Sequence, residues 1–324
     1  MEETQPFESN VIAYPAITTI SNSININKPT KIYTIKNLEK LNLIISSDQY
    51  EEIRITQNKI NWFSDDLIPI EHLKYFNSIE NEGFKIGIGV ATGSDKIFIS
   101  ETFDDFIEQE LLLPIITSKE LKKNTFTESK KKIINPFTSD GKLINLSQFP
   151  KAKKYLLDNK SILSKRHIAK KNPIFWFKTI DKIKPSLRLE NKILLPDISG
   201  NKVLFIDEGK YYPHHNLYYI TGKGLKTLKV LAAILMSDFS MKQLLTIGNK
   251  MNGGYPRWQS QNLRKLRIPI IENFNKEYKD CIASAYDNFD PEKLNRIITL
   301  ENILKNSSEK GQIALFEPTV EYKK

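Results

Sequence analysis

The stretch from residue 225 to 247, LKTLKVLAAILMSDFSMKQLLTI, places the strongest demand on the fold. It is too apolar for a helix facing water on all sides, so a protein core must bury most of it. Lys226, Lys229, Asp238 and Lys242 interrupt it too often for a membrane span, which needs ~20 apolar residues. Its spacing reads as one helix. No covalent brace assists, because Cys281 is the only cysteine and neither a disulfide nor a cysteine-based zinc site can form within the chain. The four histidines, His72, His167, His214 and His215, show no ligand spacing such as H-E-x-x-H, and no metal site is expected. Residues 1–10 are acidic and polar rather than charged-then-apolar, so no secretory leader is expected and a cytoplasmic protein is the plain expectation.

Charge is distributed unevenly. The net charge is +10, yet residues 119–192 hold 20 Lys and Arg against 6 Asp and Glu, a local balance of +14. The rest of the chain carries 28 basic against 32 acidic side chains, a balance of −4. A Lys-rich composition explains a high count but not this concentration. A polyanion partner is expected, bound through the central segment.

Periodicity and turn chemistry give a coarse map. Residues 11–20 and 31–35 read as strands across a Ser/Asn-rich turn. A Gly-rich turn within residues 79–100 leads into a strand at Lys96-Ile97-Phe98-Ile99. Residues 103–113 have helical spacing, and residues 147–171 read as one long basic helix with Pro150 near its start. Residues 192–196 and 202–207 flank Ser199-Gly200-Asn201 as a hairpin. Residues 281–305 read as helix broken at Pro291, and residues 306–324 as a polar end. The class is α+β, with mixed sheets carrying basic helices and loops.

Three motifs bear on chemistry. Gly87-Ile-Gly89-Val-Ala-Thr-Gly93-Ser-Asp95-Lys96 lacks the following helix that a dinucleotide loop requires, because a strand pattern comes next. It is either a tight turn or a backbone approach to a phosphate, with Thr92, Ser94 and Lys96 as donors. Pro196-Asp197 followed by Asp207-Glu208-Gly209-Lys210 has the order of a magnesium-dependent nuclease, with Asp197 and Glu208 on the metal and Lys210 activating water. Gly209 and good turn chemistry weigh against that reading. His214 and His215, if in a strand, point to opposite faces. Asn252-Gly-Gly-Tyr255-Pro-Arg257-Trp258-Gln259-Ser-Gln-Asn262 is dense in base-reading groups: Arg257 suits guanine, Gln259 or Asn262 adenine, and Tyr255 or Trp258 stacking. A surface loop anchored by its aromatics is the plainer alternative. Trp176, between Phe175 and Phe177, is either core or a base-stacking ring, and Lys165, Arg166, Lys170 and Lys171 are candidate phosphate contacts.

An ordered set of segments resembles the target-recognition part of the TaqI-like adenine-specific DNA methyltransferases, including single-chain Type IIG restriction-modification enzymes. The set comprises AYPAIT at residues 13–18, GFKIGIGVATGSDKIFI at 83–99, LLLPIITSKELKK at 111–123 and WFKTIDKIKPSL at 176–187. It continues with KILLPDISGNKVLFIDEGKYYPHHNLYYIT at 192–221 and NGGYPRWQSQNLRKLRIPI at 252–270. The resemblance implies a TaqI-like DNA target-recognition domain at 111–271. Before it lies a strand-rich segment at 1–110 that docks a methyltransferase, and after it a helical tail at 272–324. It implies sequence-specific binding of double-stranded DNA in a restriction-modification system, and recognition-domain strands around Asp197, Glu208 and Lys210. An amino-methyltransferase also needs an Asn/Asp-Pro-Pro-aromatic loop to hold the flipped base. No Pro-Pro dipeptide occurs, and Asn135-Pro136-Phe137 and Asn172-Pro173-Ile174 are the nearest fragments. The chain itself is expected to bind no cofactor and to catalyse nothing, with S-adenosylmethionine held by a partner. It is expected to be either a separately encoded specificity subunit or the remnant of a split or truncated gene. A nonspecific RNA- or single-strand-binding protein would fit the basic segment but not the ordered set.

Overall fold

The structure, a computed structural model, describes residues 30–32, 51–53, 68, 70–121, 125–197, 204–247 and 257–307. Its strands are β1 (Thr30–Ile32), β2 (Glu51–Ile53), β3 (Phe76–Ser78), β4 (Lys85–Ile88), β5 (Ile99–Ser100), β6 (Leu112–Ile116), β7 (Lys132–Ile134), β8 (Asn191–Pro196), β9 (Phe205–Glu208), β10 (Tyr212–Pro213), β11 (Leu217–Thr221) and β12 (Arg267–Pro269). They form two four-stranded sheets, ordered β4-β11-β8-β9 and β10-β6-β7-β5, and two-stranded ladders β1-β2 and β12-β3. Only β10 and β6 pair in parallel among the described strands. The helices are α1 (Asp95–Phe98), α2 (Pro150–Asp158), α3 (Lys160–Leu163), α4 (His167–Lys171), α5 (Ser186–Leu189), α6 (Leu225–Met236), α7 (Asp238–Ile247), α8 (Ser260–Leu263), α9 (Lys276–Asp287), α10 (Pro291–Ile297) and α11 (Leu300–Asn306). The chain is α+β, and no helix among the described residues is long and apolar enough to cross a membrane.

Among the described residues, two hydrophobic cores follow from the apolar runs. The larger packs α6 between the β8–β9 side of the first sheet and α9. Val230 to Met236 are all buried, so α6 is a central helix rather than an amphipathic cover. β8 is buried along five successive residues, the pattern of a strand covered on both faces. The smaller core gathers the second sheet, α2 and the 103–111 segment around Phe98, Phe103, Leu156 and Ile183. Tyr219 on β11 touches both.

Several expected elements differ. The stretch 225–247 is two helices, because Ser237 is extended and its backbone carbonyl receives the first bonds of α7 from Ser240 and Met241. Ser-Asp at 237–238 is a helix-start signal inside an apolar run. The basic stretch 147–171 is three short helices, and Asn159 competes with the helix by donating its side-chain amide to the Tyr155 carbonyl at 2.9 Å. Residues 97–98 are helical rather than strand: Ile97 and Phe98 are both buried, which alternation in a half-exposed strand forbids. Residues 103–113 become two 3-10 turns and then β6, since Pro114 cannot continue a helix. The 192–207 hairpin is observed as β8 and β9, and the break at Pro291 as the start of α10. Strand pairs β3-β12, β4-β11 and β5-β7 cross the expected boundaries at 110 and tie residues 76–100 to the rest. The strand expected at 11–20, residues 33–35 and the turn at 199–201 lie outside the described residues.

Candidate nucleic-acid interface

The first sheet brings distant candidate residues to one of its ends. Leu217 of β11 lies opposite Pro196 of β8, and Tyr218 opposite Ile88 of β4. The exits of β8 and β4 and the entrance of β11 therefore share an edge. Asp197, the turn at 214–216 and the loop 89–94 all emerge there. The loop is stitched to the turn by Gly89 N–H to the Leu217 carbonyl, 2.9 Å, Val90 N–H to Pro213, 2.9 Å, and His215 N–H to Val90, 3.0 Å. A Cβ on Gly87 would lie 2.3 Å from the Tyr219 ring, and one on Gly89 2.2 Å from the His214 carbonyl oxygen. These two glycines permit strand and turn to touch, which is a packing reason for the motif.

Within this loop Thr92 is fully buried. Its hydroxyl donates to Asp95 Oδ1 at 2.5 Å and accepts from the Ser94 N–H at 3.0 Å. Thr92 is a brace for Asp95 rather than a phosphate donor, whereas Ser94 is partly exposed and Lys96 exposed. The other carboxylate oxygen of Asp95 lies 2.9 Å from His214 Nε2. Burial opposes ionisation of Asp95, but the hydrogen bonds from Thr92 and His214 outweigh it and hold the carboxyl below its usual range. His214 and His215 do not face opposite ways: Pro213 ends β10, the chain turns, and their rings sit 4.0 Å apart. The Pro-His-His-Asn sequence was the signal for this turn. Burial, then the neighbouring His214, lowers the proton affinity of His215.

The basic segment docks onto the same loop. Ala91 N–H donates to Asp181 Oδ2 at 2.8 Å, and the Asp181 N–H returns to the Ala91 carbonyl at 3.0 Å. Arg166 donates to the carbonyls of Leu163 (3.1 Å), Thr92 (2.9 Å) and Trp176 (2.7 Å), with its guanidinium over the Phe98 ring. Desolvation lowers its affinity for the proton. Arg166 is a clasp that fixes α4 and Trp176 to the loop, not a freely presented cation. Around it, Lys151, Lys153, Lys154, Lys160, Lys165, Lys170 and Lys171 are exposed on α2 to α4 and the turn between them. Trp176 is half-buried, with the Lys160 ammonium 5.3 Å from its ring centre.

The fourth contributor is Arg257. Its Nη2 meets Asp197 Oδ2 at 2.5 Å, and the Trp258 N–H donates to the Asp197 carbonyl at 3.1 Å. Trp258 is 1% exposed and Asn262 5% exposed, with the Asn262 amide on the Arg257 carbonyl. Neither is presented for base contact: the expected base readers Trp258 and Asn262 build the core that holds Arg257. Gln259 remains partly exposed, and Tyr255 lies outside the described residues. Four buried side-chain polar atoms have no hydrogen-bond partner among the described residues. Three of them, Asp197 Oδ1, Arg257 Nε and His214 Nδ1, are at this sheet end, and the fourth is Ser240 Oγ. Clustered unsatisfied groups of this kind mark where a ligand, ion or water completes a site.

The nuclease constellation is not formed. Glu208 pairs with Asn191, at the opposite end of β8 from Asp197. Six strand steps of ~3.3 Å put the two carboxylates roughly 20 Å apart, far beyond a shared metal ion. Asp207 instead makes a buried ion pair with Lys192, and Lys210 meets Glu128 at the surface.

Comparison with known proteins finds relatives among the Type II methyltransferases. No family model matches it. It is 34% identical over 313 residues to the Type II methyltransferase M.PaeR7I of Pseudomonas aeruginosa, a match covering 92% of this chain and 54% of that protein. It is 36% identical over 303 residues to the Type II methyltransferase M.BstVI of Geobacillus stearothermophilus, covering 86% and 54% respectively. Among solved structures, the type IIG restriction endonuclease BpuSI aligns with a TM-score of 0.44 at 15% identity, over 66% of this chain and 26% of that one. The homologues of this chain are thus Type II methyltransferases, and it spans about half the length of the curated relatives it matches.

Proposed function

We propose that this chain is a DNA target-recognition part of a Type II adenine-specific methyltransferase, of the TaqI-like kind. In this reading it grips duplex DNA and positions an adenine, while a catalytic segment elsewhere flips the base and transfers methyl from S-adenosylmethionine. The observation that carries the reading is that Arg166 ties the lysine-bearing 160–171 segment and Trp176 to the 89–96 loop, at the sheet end where Asp197 holds the half-buried Arg257. The absence of a Pro-Pro dipeptide supports assigning catalysis to another segment.

The division of labour follows from chemistry. Lys165, Lys170 and Lys171, exposed and long, neutralise phosphates and carry no sequence information. Arg257 is steadied by Asp197 on one Nη group and retains donors for the edge of a guanine. Gln259, beside it, reads a neighbouring base. The direct test is titration of fluorescent duplex DNA with the chain at rising salt. About 5–8 phosphate contacts imply a log–log slope of about −4.5 to −7. No binding at low salt, or a slope near zero, overturns the reading.

A further inference from the structure

Asp95, His214 and His215 each offer one ligand atom, and these atoms lie within 4.8 Å of one another. The donors reach this point from segments over a hundred residues apart, through the stitching of the 89–94 loop to the 214–216 turn. We infer that they form a binding site for a divalent transition-metal cation of the zinc or cobalt class, with a coordination position left open.

The donor set decides the class of ion. Two imidazoles and one carboxylate suit zinc, cobalt or nickel, whereas magnesium and calcium take oxygen shells. Three protein ligands leave one position of a tetrahedron for water or an incoming group. Bonds of ~2.0–2.1 Å in a tetrahedron put ligand atoms about 3.4 Å apart. The Asp95–His214 pair is already at 2.9 Å, so a cation need only replace that hydrogen bond and draw in His215. His215 is exposed, while His214 is 6% exposed. Thr92 completes the arrangement. Its hydroxyl occupies Asp95 Oδ1 and leaves Oδ2 facing His214, the outer-shell orientation that ligating carboxylates carry. Metal binding does not depend on the DNA reading, and a cation here would pin the loop and turn that carry it.

The test uses the full chain stripped of metal with a chelator and titrated with Co²⁺. Visible d–d absorption saturating at one equivalent, and displaced by Zn²⁺, is the expected result. His215→Ala should weaken cobalt binding about 100-fold or more, and Thr92→Val by about 10–100-fold as an outer-shell change. His167→Ala, an exposed histidine of α4, should leave the titration unchanged. Because His215 is exposed, its loss should spare the fold, checked by near-ultraviolet circular dichroism. Absence of a saturable band in the parent chain, or a band unaltered by His215→Ala, overturns the assignment and leaves Asp95–His214 as a structural hydrogen bond.

Discussion

The two ends of the β4-β11-β8-β9 sheet use charge in opposite ways. At one end Lys192 and Asp207 are 0% and 1% exposed and meet at 2.7 Å. Lys192 Nζ also donates to the carbonyls of Arg188 and Tyr211, and Asp207 accepts the N–H groups of Lys210 and Tyr211. Burial lowers the proton affinity of Lys192, opposed by Asp207. At the other end Asp197 and Arg257 share one contact, keep more than a quarter of their side-chain surface, and leave Oδ1 and Nε unpaired among the described residues. A saturated ion pair helps specify the fold, at a desolvation cost that its hydrogen bonds offset. An unsaturated one is ready for another partner. The same sheet thus separates a structural end from the proposed interaction end.

The contrast is open to direct attack. Lys192→Met leaves Asp207 buried without its counter-ion and should cost about 3–5 kcal/mol in urea unfolding, the largest effect expected here. The double variant Lys192→Met with Asp207→Asn removes the unpaired charge, keeps an acceptor for the backbone N–H groups, and should recover part of that loss. A single variant costing under about 1 kcal/mol would remove the distinction between the ends. Arg257→Ala should cost roughly 1–3 kcal/mol of binding to the target duplex and almost nothing on random DNA. Equal weakening of both would make it an attachment residue. The target is obtainable by mapping methylated adenines in cells carrying the complete system.

Two smaller effects sharpen the picture. Glu120, which closes a capping box with Thr117 beside the 214–216 turn, is a structural carboxylate close to the interaction end. Burial would raise its pKa, but Lys131 and Thr117 outweigh that and depress it in the folded chain. A depressed folded value means stabilisation present above the unfolded value and lost as pH falls through the folded one. Glu120→Gln should therefore lower stability at neutral pH by about 1 kcal/mol, the worth of a cap, and flatten the acid limb of the unfolding curve below about pH 4.5. An unchanged acid limb would assign no role to the cap. Lys170→Ala should weaken target and random DNA alike and reduce the salt slope by about one. A loss confined to target DNA would instead assign it to base readout.

Local features were legible without coordinates. The apolar run 225–247 had to be buried, residues 192–207 had to turn back as a hairpin, and residues 119–192 had to hold the net excess of positive charge. These follow from periodicity, turn chemistry and composition, which act within a few residues of one another. What the candidate interface consists of depends on contacts between remote segments, such as Ala91 with Asp181 and Asp95 with His214, 90 and 119 residues apart. Trp258 and Trp176 look alike as aromatic residues near polar ones, yet one is sealed in the core and the other half-exposed beside lysines. Asp197 and Glu208 look like partners on adjacent strands, yet antiparallel pairing sends them to opposite ends. Sequence pattern decides which side chains a segment offers and how often, because that depends on local backbone geometry. Which of them meet depends on strand register and on what is left buried without a partner, and both are properties of the assembled sheet.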